Sequence, residues 1–86
     1  MEDSIIIWNF LTKEYKNDHP VIYLYVTNNP RTSTTAVDTI TDLVKKIFYP
    51  TMPEHLINIT IKGFLEMKRK QYIKGEIIVK PIYSNQ

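Results

Sequence analysis

Few side chains in this sequence could perform acid–base chemistry. His19 and His55 are its only two histidines, and Glu54 stands beside the second of them. A histidine with a neighbouring carboxylate can act as a general acid–base pair. Both histidines lie close to prolines in polar stretches, however, and neither is near a known nucleophile motif. We therefore interpret both as surface loop residues and predict that the protein is not an enzyme.

Metal and cofactor chemistry also lacks its usual residues. The chain contains no cysteine, which excludes a disulfide framework, a thiolate zinc site and a cysteine nucleophile. It has neither two histidines at helical spacing nor a dense carboxylate loop. Its two glycines, Gly63 and Gly75, are isolated, so we predict strand bends there and no phosphate loop. We expect no metal and no cofactor.

A run of basic residues indicates a different chemistry, the binding of phosphate groups. Lys68, Arg69 and Lys70 are consecutive, and Tyr72 and Lys74 follow them closely. At the tip of a β-hairpin these cations could follow a nucleic-acid backbone while the tyrosine stacks on a base. A lysine-rich tip can equally serve only to discourage aggregation at a sheet edge. Three consecutive cations are a short run, so nucleic-acid binding is the alternative function.

The net charge of +2 conceals a polarised distribution of charges. Residues 1–54 hold five basic and seven acidic side chains, which gives −2. Residues 55–86 hold six basic and two acidic side chains, which gives +4. The basic character of the chain therefore belongs to its last third, where the predicted hairpin lies.

Length and composition limit the class of protein. A chain of 86 residues supports one domain over residues 1–86, and a hydrophobic content of 43% is too high for a disordered chain. No apolar run approaches the roughly 18–20 residues of a membrane span, and the acidic start at residues 1–4 is unlike a signal peptide. We expect a cytoplasmic protein without membrane contact. Isoleucine, lysine, asparagine, tyrosine and phenylalanine, which have AT-rich codons, supply 37 residues and indicate an AT-rich genome, such as those of many viruses, phages and low-GC bacteria.

Strand and helix patterns predict five elements. Residues 5–11 and 21–26 are rich in β-branched and aromatic side chains, which favours an antiparallel pair of strands. Apolar residues recur at helical intervals over residues 35–48, with Thr35 as the helix cap and Asp38 near its positive end. This segment is predicted to be the only helix.

The last third of the chain alternates between apolar and polar residues. Its pattern predicts a third strand over residues 57–67, a turn at 68–71 and a fourth strand over 72–82. Phe64 is an apolar exception on the polar face, and a rival interpretation makes residues 64–72 a short helix of good helix formers. The predicted fold is therefore α+β, with a four-stranded, mainly antiparallel sheet packed on one helix in the order β-β-α-β-β.

One helix can cover only one face of such a sheet. The first two strands are apolar on both faces, so four aromatic residues should remain exposed, namely Trp8, Phe10, Tyr23 and Tyr25. Exposed apolar patches mark interaction sites, and tryptophan and tyrosine are enriched at binding hot spots. Alternatively, the loop at 12–20 and the termini cover this face. We predict a small non-enzymatic binding protein that contacts a protein partner or forms a homodimer, in the role of a viral or phage accessory protein that modulates a host factor.

Overall fold

The computed structural model describes residues 2–27 and 30–80, and these residues form four α-helices. Helix α1 spans Glu2–Glu14, α2 spans Pro20–Val26, α3 spans Pro30–Phe48 and α4 spans Glu54–Ile73. No strand occurs within the two described stretches. The predicted α+β fold, with its four-stranded sheet in the order β-β-α-β-β, is therefore wrong.

The first two predicted strands are the helices α1 and α2. The buried side chains of the first segment are Ile7 and Leu11, followed by Tyr15 just beyond the helix. They recur every four residues, which places them on one face of a helix. A run in which the odd-numbered and the even-numbered positions are both apolar fits a buried strand and a buried helix equally well. The β-branched composition of residues 5–11 therefore pointed to the wrong element.

The predicted helix at 35–48 is confirmed, and it begins five residues earlier, at Pro30. Proline is tolerated in the first turn because its missing N–H would have no partner there. Thr35 is consequently not the cap, and its carbonyl accepts a hydrogen bond from Thr39 Oγ1 at 2.9 Å. Asp38 likewise lies beyond the first turn, so it does not complement the positive end of the helix. The helix ends at Phe48, before Pro50, as expected from the proline.

Helix α4 replaces the predicted third strand and turn. The rival interpretation of residues 64–72 as helix is correct in type, but this segment is part of a 20-residue helix. Ile57, Ile61 and Leu65 are buried and lie four residues apart, a spacing that satisfies strand and helix periodicity alike. Phe64 decides between them, since it is fully buried although a strand would place it on the polar face. Gly63 lies inside this helix, so the strand bend predicted there is also wrong.

A glycine motif ends α4 and redirects the chain. Gly75 has a φ of 78°, and its N–H donates to the Tyr72 carbonyl at 3.0 Å. The next N–H, of Glu76, donates to the Gln71 carbonyl at 2.8 Å. This is the hydrogen-bond pattern of a Schellman motif, which needs a residue in the left-handed region. Residues 77–80 then run without regular structure, and residues 81 and 82 of the predicted fourth strand lie outside the described residues.

The two glycines should respond oppositely to alanine substitution. A Cβ at Gly63 would meet no heavy atom within 4 Å, so Gly63→Ala is expected to stabilise the protein by about 0.5–1 kcal/mol through helix propensity. Gly75→Ala is expected to destabilise it by about 1–2 kcal/mol because a side chain is strained at positive φ. Urea unfolding of both variants measures the difference. A destabilising Gly63→Ala would contradict a continuous α4.

Helix α4 is the element against which the other three helices pack. Trp8 meets Phe64, and Asn17 meets Lys68, so α1 runs parallel to α4. Helix α3 runs antiparallel to α4, since Lys45 pairs with Glu54 near one end while Ser33 meets Arg69 near the other. Among the described residues, no helix has both the length and the apolar character required to cross a membrane.

Candidate interaction surface

The structure does not gather the four predicted contact residues into one exposed face. Trp8 and Phe10 are partly buried and pack edge-to-face against Phe64 and Phe48, with ring centroids 5.4 and 5.6 Å apart. Tyr25 is buried. The fourth residue, Tyr23, is partly buried and packs against the core. These side chains therefore contribute mainly to packing, and only parts of them reach the surface.

A shallow groove of about 880 Å³ lies at the carboxyl end of α4. This C-terminal groove is lined by Tyr23, Thr27, Tyr72, Ile73, Gly75, Ile77, Ile78 and Val79. Ile73 is 73% exposed and Ile78 is 87% exposed, the highest values for large apolar side chains in the described part of the chain. The groove thus joins one tyrosine predicted to bind protein, Tyr23, with one predicted to bind nucleic acid, Tyr72.

The local sequence explains why apolar side chains remain exposed in this groove. The Schellman motif at Gly75 stops the helix and releases residues 77–80 as an irregular segment. Val79 is only 8% exposed and anchors the segment on the core, and Ile77 packs there partly buried. Ile78 lies between these two anchored residues and is directed to solvent. The segment therefore presents an isoleucine that the other described residues leave uncovered.

A second, smaller groove of about 360 Å³ lies between α1 and the first half of α4. This N-terminal groove is lined by Ser4, Ile5, Trp8, Ile59, Thr60 and Gly63. Ile5 and Ile59 are its exposed apolar residues, and each is exposed less than Ile73 and Ile78. Of the four predicted contact residues, Trp8 lines this groove. Tyr23 lines the C-terminal groove, near the opposite end of α4.

The predicted basic β-hairpin does not exist. Its consecutive cations lie on helix α4, where successive residues point about 100° apart around the axis. Lys68 turns toward the segment that follows α1, and its Nζ donates to Asn17 Oδ1 at 2.7 Å. Burial lowers the pKa of this ammonium group below its usual value. Lys70 and Lys74 are exposed, but they share one surface with Glu66 and Glu76, so its charge is mixed.

Arg69 has an internal role at the junction of three helices. Its Nη2 donates to the Tyr25 carbonyl at 3.2 Å and to Ser33 Oγ at 3.1 Å. The guanidinium group also lies over the Tyr25 ring at 4.3 Å and pairs with Glu66 at 3.5 Å. Because the Tyr25 carbonyl is in the last turn of α2, where helical partners are missing, the arginine satisfies an acceptor that the helix cannot.

The ionisation of Tyr25 makes the stability of this junction depend on pH. Burial, together with a hydrogen bond that its hydroxyl donates to Glu66, raises the pKa of Tyr25 to about 12. A tyrosine in the unfolded chain titrates near pH 10, so the stabilising contribution is complete below about pH 10 and is lost as the pH rises to about 12. Burial, together with the nearby Glu14 carboxylate, also raises the pKa of Tyr15.

We expect Tyr25→Phe to weaken the pH dependence of stability. The variant should unfold at a lower temperature than the wild type at pH 8, because the hydrogen bond to Glu66 is lost. Between about pH 10 and 12 the two melting temperatures should converge, because only the wild type loses the Tyr25 contribution. Thermal unfolding at a series of pH values measures this. Parallel curves for the two proteins would contradict the assignment.

The histidines have no shared site. His19 caps α2, where its Nδ1 accepts a hydrogen bond from the Val21 N–H at 3.0 Å. His55 is exposed in the first turn of α4, and the neighbouring Glu54 pairs with Lys45 at 3.1 Å. In the described ranges, no group of three or more histidine, cysteine, aspartate or glutamate side chains could hold a metal ion.

No protein-family model, curated protein or solved structure matches this chain. An indication of function must therefore come from the surfaces of the protein. The C-terminal groove contains Ile73 and Ile78, the two most exposed large apolar side chains of the described residues, and its two tyrosines are of a residue type common at interaction hot spots. Sequence reasoning missed Ile73 and Ile78 as binding residues, although the isolated Gly75, with Ile73 just before it and two isoleucines just after it, is a helix-stop signal that could have found them.

Proposed function

We propose that this protein is a small, non-enzymatic binding protein that docks a protein partner on its C-terminal groove. The observation that carries this proposal is the exposure of Ile73 and Ile78 beside two tyrosines. Covering an isoleucine side chain contributes roughly 1.5–3 kcal/mol, and contiguous exposed apolar side chains usually mark an interaction site. Tyrosines beside them add apolar area together with a hydroxyl that can bind polar groups.

From the composition we further propose a role as a viral or phage accessory protein. In that role it acts in the cytoplasm of a host cell and modulates a host factor by occupying its surface. The small size of the chain and its high content of residue types with AT-rich codons support this origin. A capture experiment in host lysate therefore tests both the groove and the role.

The alternative, nucleic-acid binding, has weaker support. Lys68 and Arg69 are engaged in internal contacts, which leaves fewer cations for a phosphate backbone. The exposed pair Lys70 and Lys74 shares its surface with two carboxylates. Since affinity for nucleic acid falls steeply with salt, binding that is absent at low salt would remove this alternative.

Quantitative capture from lysate tests the protein-binding proposal. The bait is the full chain, and the test variant carries Ile73→Gln with Ile78→Gln in the C-terminal groove. The matched control carries Ile5→Gln with Ile59→Gln in the N-terminal groove. Nuclease treatment removes partners held through nucleic acid, and thermal unfolding verifies that both variants fold.

We expect specific partners of the wild type to fall at least tenfold with the C-terminal pair and to persist with the control pair. This contrast is expected because the two variants lose the same apolar side chains in different grooves. Partners that persist with the C-terminal pair would contradict the proposed site.

A further inference from the structure

The segment at residues 77–80 lacks backbone–backbone hydrogen bonds within the described part of the chain. None of its N–H or C=O groups forms a backbone hydrogen bond with another described residue. Its side chains alternate, with Ile77 and Val79 toward the core and Ile78 toward solvent. Isoleucine and valine strongly favour extended conformation, and unpaired backbone groups in such a segment are a template for an added strand.

We propose that two copies of this protein pair residues 76–80 as antiparallel strands around a twofold axis at Ile78. This inference rests on the proposed protein-binding role of the C-terminal groove, and it names a second copy of the chain as a protein that the groove binds. The same surface then serves both protomers, as a twofold interface requires.

The charges at the two ends of the segment select this arrangement. In antiparallel pairing centred on Ile78, Glu76 of each copy lies opposite Lys80 of the other, so two ion pairs form. Opposite charges in such cross-strand pairs contribute roughly 0.2–1 kcal/mol each. A parallel pairing in register would place like charges opposite each other. A shift by one residue would place Glu76 opposite Val79 and remove both ion pairs.

The apolar side chains fit the same register. Ile78 meets its own copy on the solvent face, which covers the most exposed large apolar residue in the described segments. On the core-facing side, Ile77 of each copy lies opposite Val79 of the other. Ile73 and Tyr72 line the same groove and lie at the rim of this contact. Because five paired residues bury a small area, the dimer is reversible and its population depends on concentration.

Sedimentation equilibrium of the full chain, from low micromolar to near-millimolar concentration, tests the pairing. We expect the wild type to shift from the mass of one chain to that of two. Glu76→Lys alone and Lys80→Glu alone each bring like charges opposite at two positions, so each should weaken dimerisation at least tenfold. The double variant E76K/K80E restores both ion pairs and should restore the dimer. Lys46→Glu makes the same kind of charge reversal as Lys80→Glu at an exposed position in the last turn of α3, away from the C-terminal groove, and should leave the dimer intact.

A mixture of the two single variants provides a second readout. Every cross-strand pair between the E76K chain and the K80E chain joins opposite charges, so these chains should form a heterodimer more strongly than either forms a homodimer. Amide hydrogen exchange at residues 77–80 should also slow as the wild-type concentration increases. Neither result is expected from a variant that merely folds poorly.

The outcomes separate this inference from the proposed function on which it rests. A wild type that remains monomeric over the whole concentration range overturns self-pairing. Failure of the double variant E76K/K80E to dimerise like the wild type overturns it as well. Failure of the proposed function has a different signature, namely partners that persist after both Ile73 and Ile78 are replaced. A monomer that still loses its partners with that variant would support docking of another protein at the groove and reject the second copy.

Discussion

Replacing Phe64 by alanine is expected to lower the free energy of unfolding by about 3–5 kcal/mol. The side chain is fully buried, its ring packs edge-to-face on Trp8 with centroids 5.4 Å apart, and the Lys68 ammonium lies 5.4 Å from its centroid. The substitution leaves a cavity between α1 and α4 that rigid helices fill only in part. Small domains have a stability of only about 5 kcal/mol or a little more, so much of the variant should be unfolded at room temperature.

Urea unfolding followed by circular dichroism measures this effect. Where Phe64→Ala is too unstable for a full curve, Phe64→Leu keeps most of the volume and should cost less than about 1.5 kcal/mol. The matched control is Ile59→Ala in the same helix, where the side chain is 53% exposed. It should change stability by less than about 1 kcal/mol. The predicted sheet placed Ile59 on the core face and Phe64 on the polar face, so a larger loss at Ile59 would contradict the helical packing.

Arg69→Ala is expected to lower the free energy of unfolding by about 2–3 kcal/mol. Hydrogen bonds to charged groups contribute about 1.5–3 kcal/mol each when removed, and this guanidinium makes two, to Tyr25 and Ser33. We expect the loss in unfolding free energy to be near the value for one such bond. The side chain is one-third exposed, so water can supply part of the hydrogen bonding that the variant loses. The ion pair with Glu66 is also exposed and contributes little. The melting temperature should fall by about 8 °C or more.

The neighbouring Lys70 provides the control for Arg69. Lys70→Ala removes the same charge from the next position of α4, where the side chain is exposed, and should change stability by less than about 0.5 kcal/mol. Arg69→Lys should recover only part of the loss, because one ammonium group cannot reproduce the planar fork that reaches both acceptors. Equal effects at Arg69 and Lys70 would mean that the basic run is only a solvated surface.

The candidate site was only partly predictable from the sequence. The sequence predicts both Tyr23 and Tyr72 as binding residues, and both line the C-terminal groove, although it predicts a strand for the first and a basic hairpin for the second. The sequence places Ile73 in the predicted fourth strand, where the alternating pattern puts it on the apolar face and gives no sign that it is exposed. Trp8 and Tyr25 were expected at the surface because a sheet covered by one helix leaves a face open. Four helices have no such face, and both residues pack against α4.

The sequence by itself determined the features that depend on local chemistry. Residues 35–48 form a helix because their apolar side chains recur at helical spacing, and Pro50 prevents its continuation. The absence of cysteine excludes thiol chemistry wherever the chain folds.

Only the tertiary structure decided between strand and helix in the last third of the chain. Ile57, Ile61 and Leu65 fit both periodicities, so the choice depends on whether Phe64 finds a partner distant in sequence. Trp8, at the start of the chain, supplies that partner. Contacts with distant residues also engage Lys68 and Arg69 and leave Ile73 and Ile78 exposed. Burial depends on which segments meet in space, and local periodicity does not contain that information.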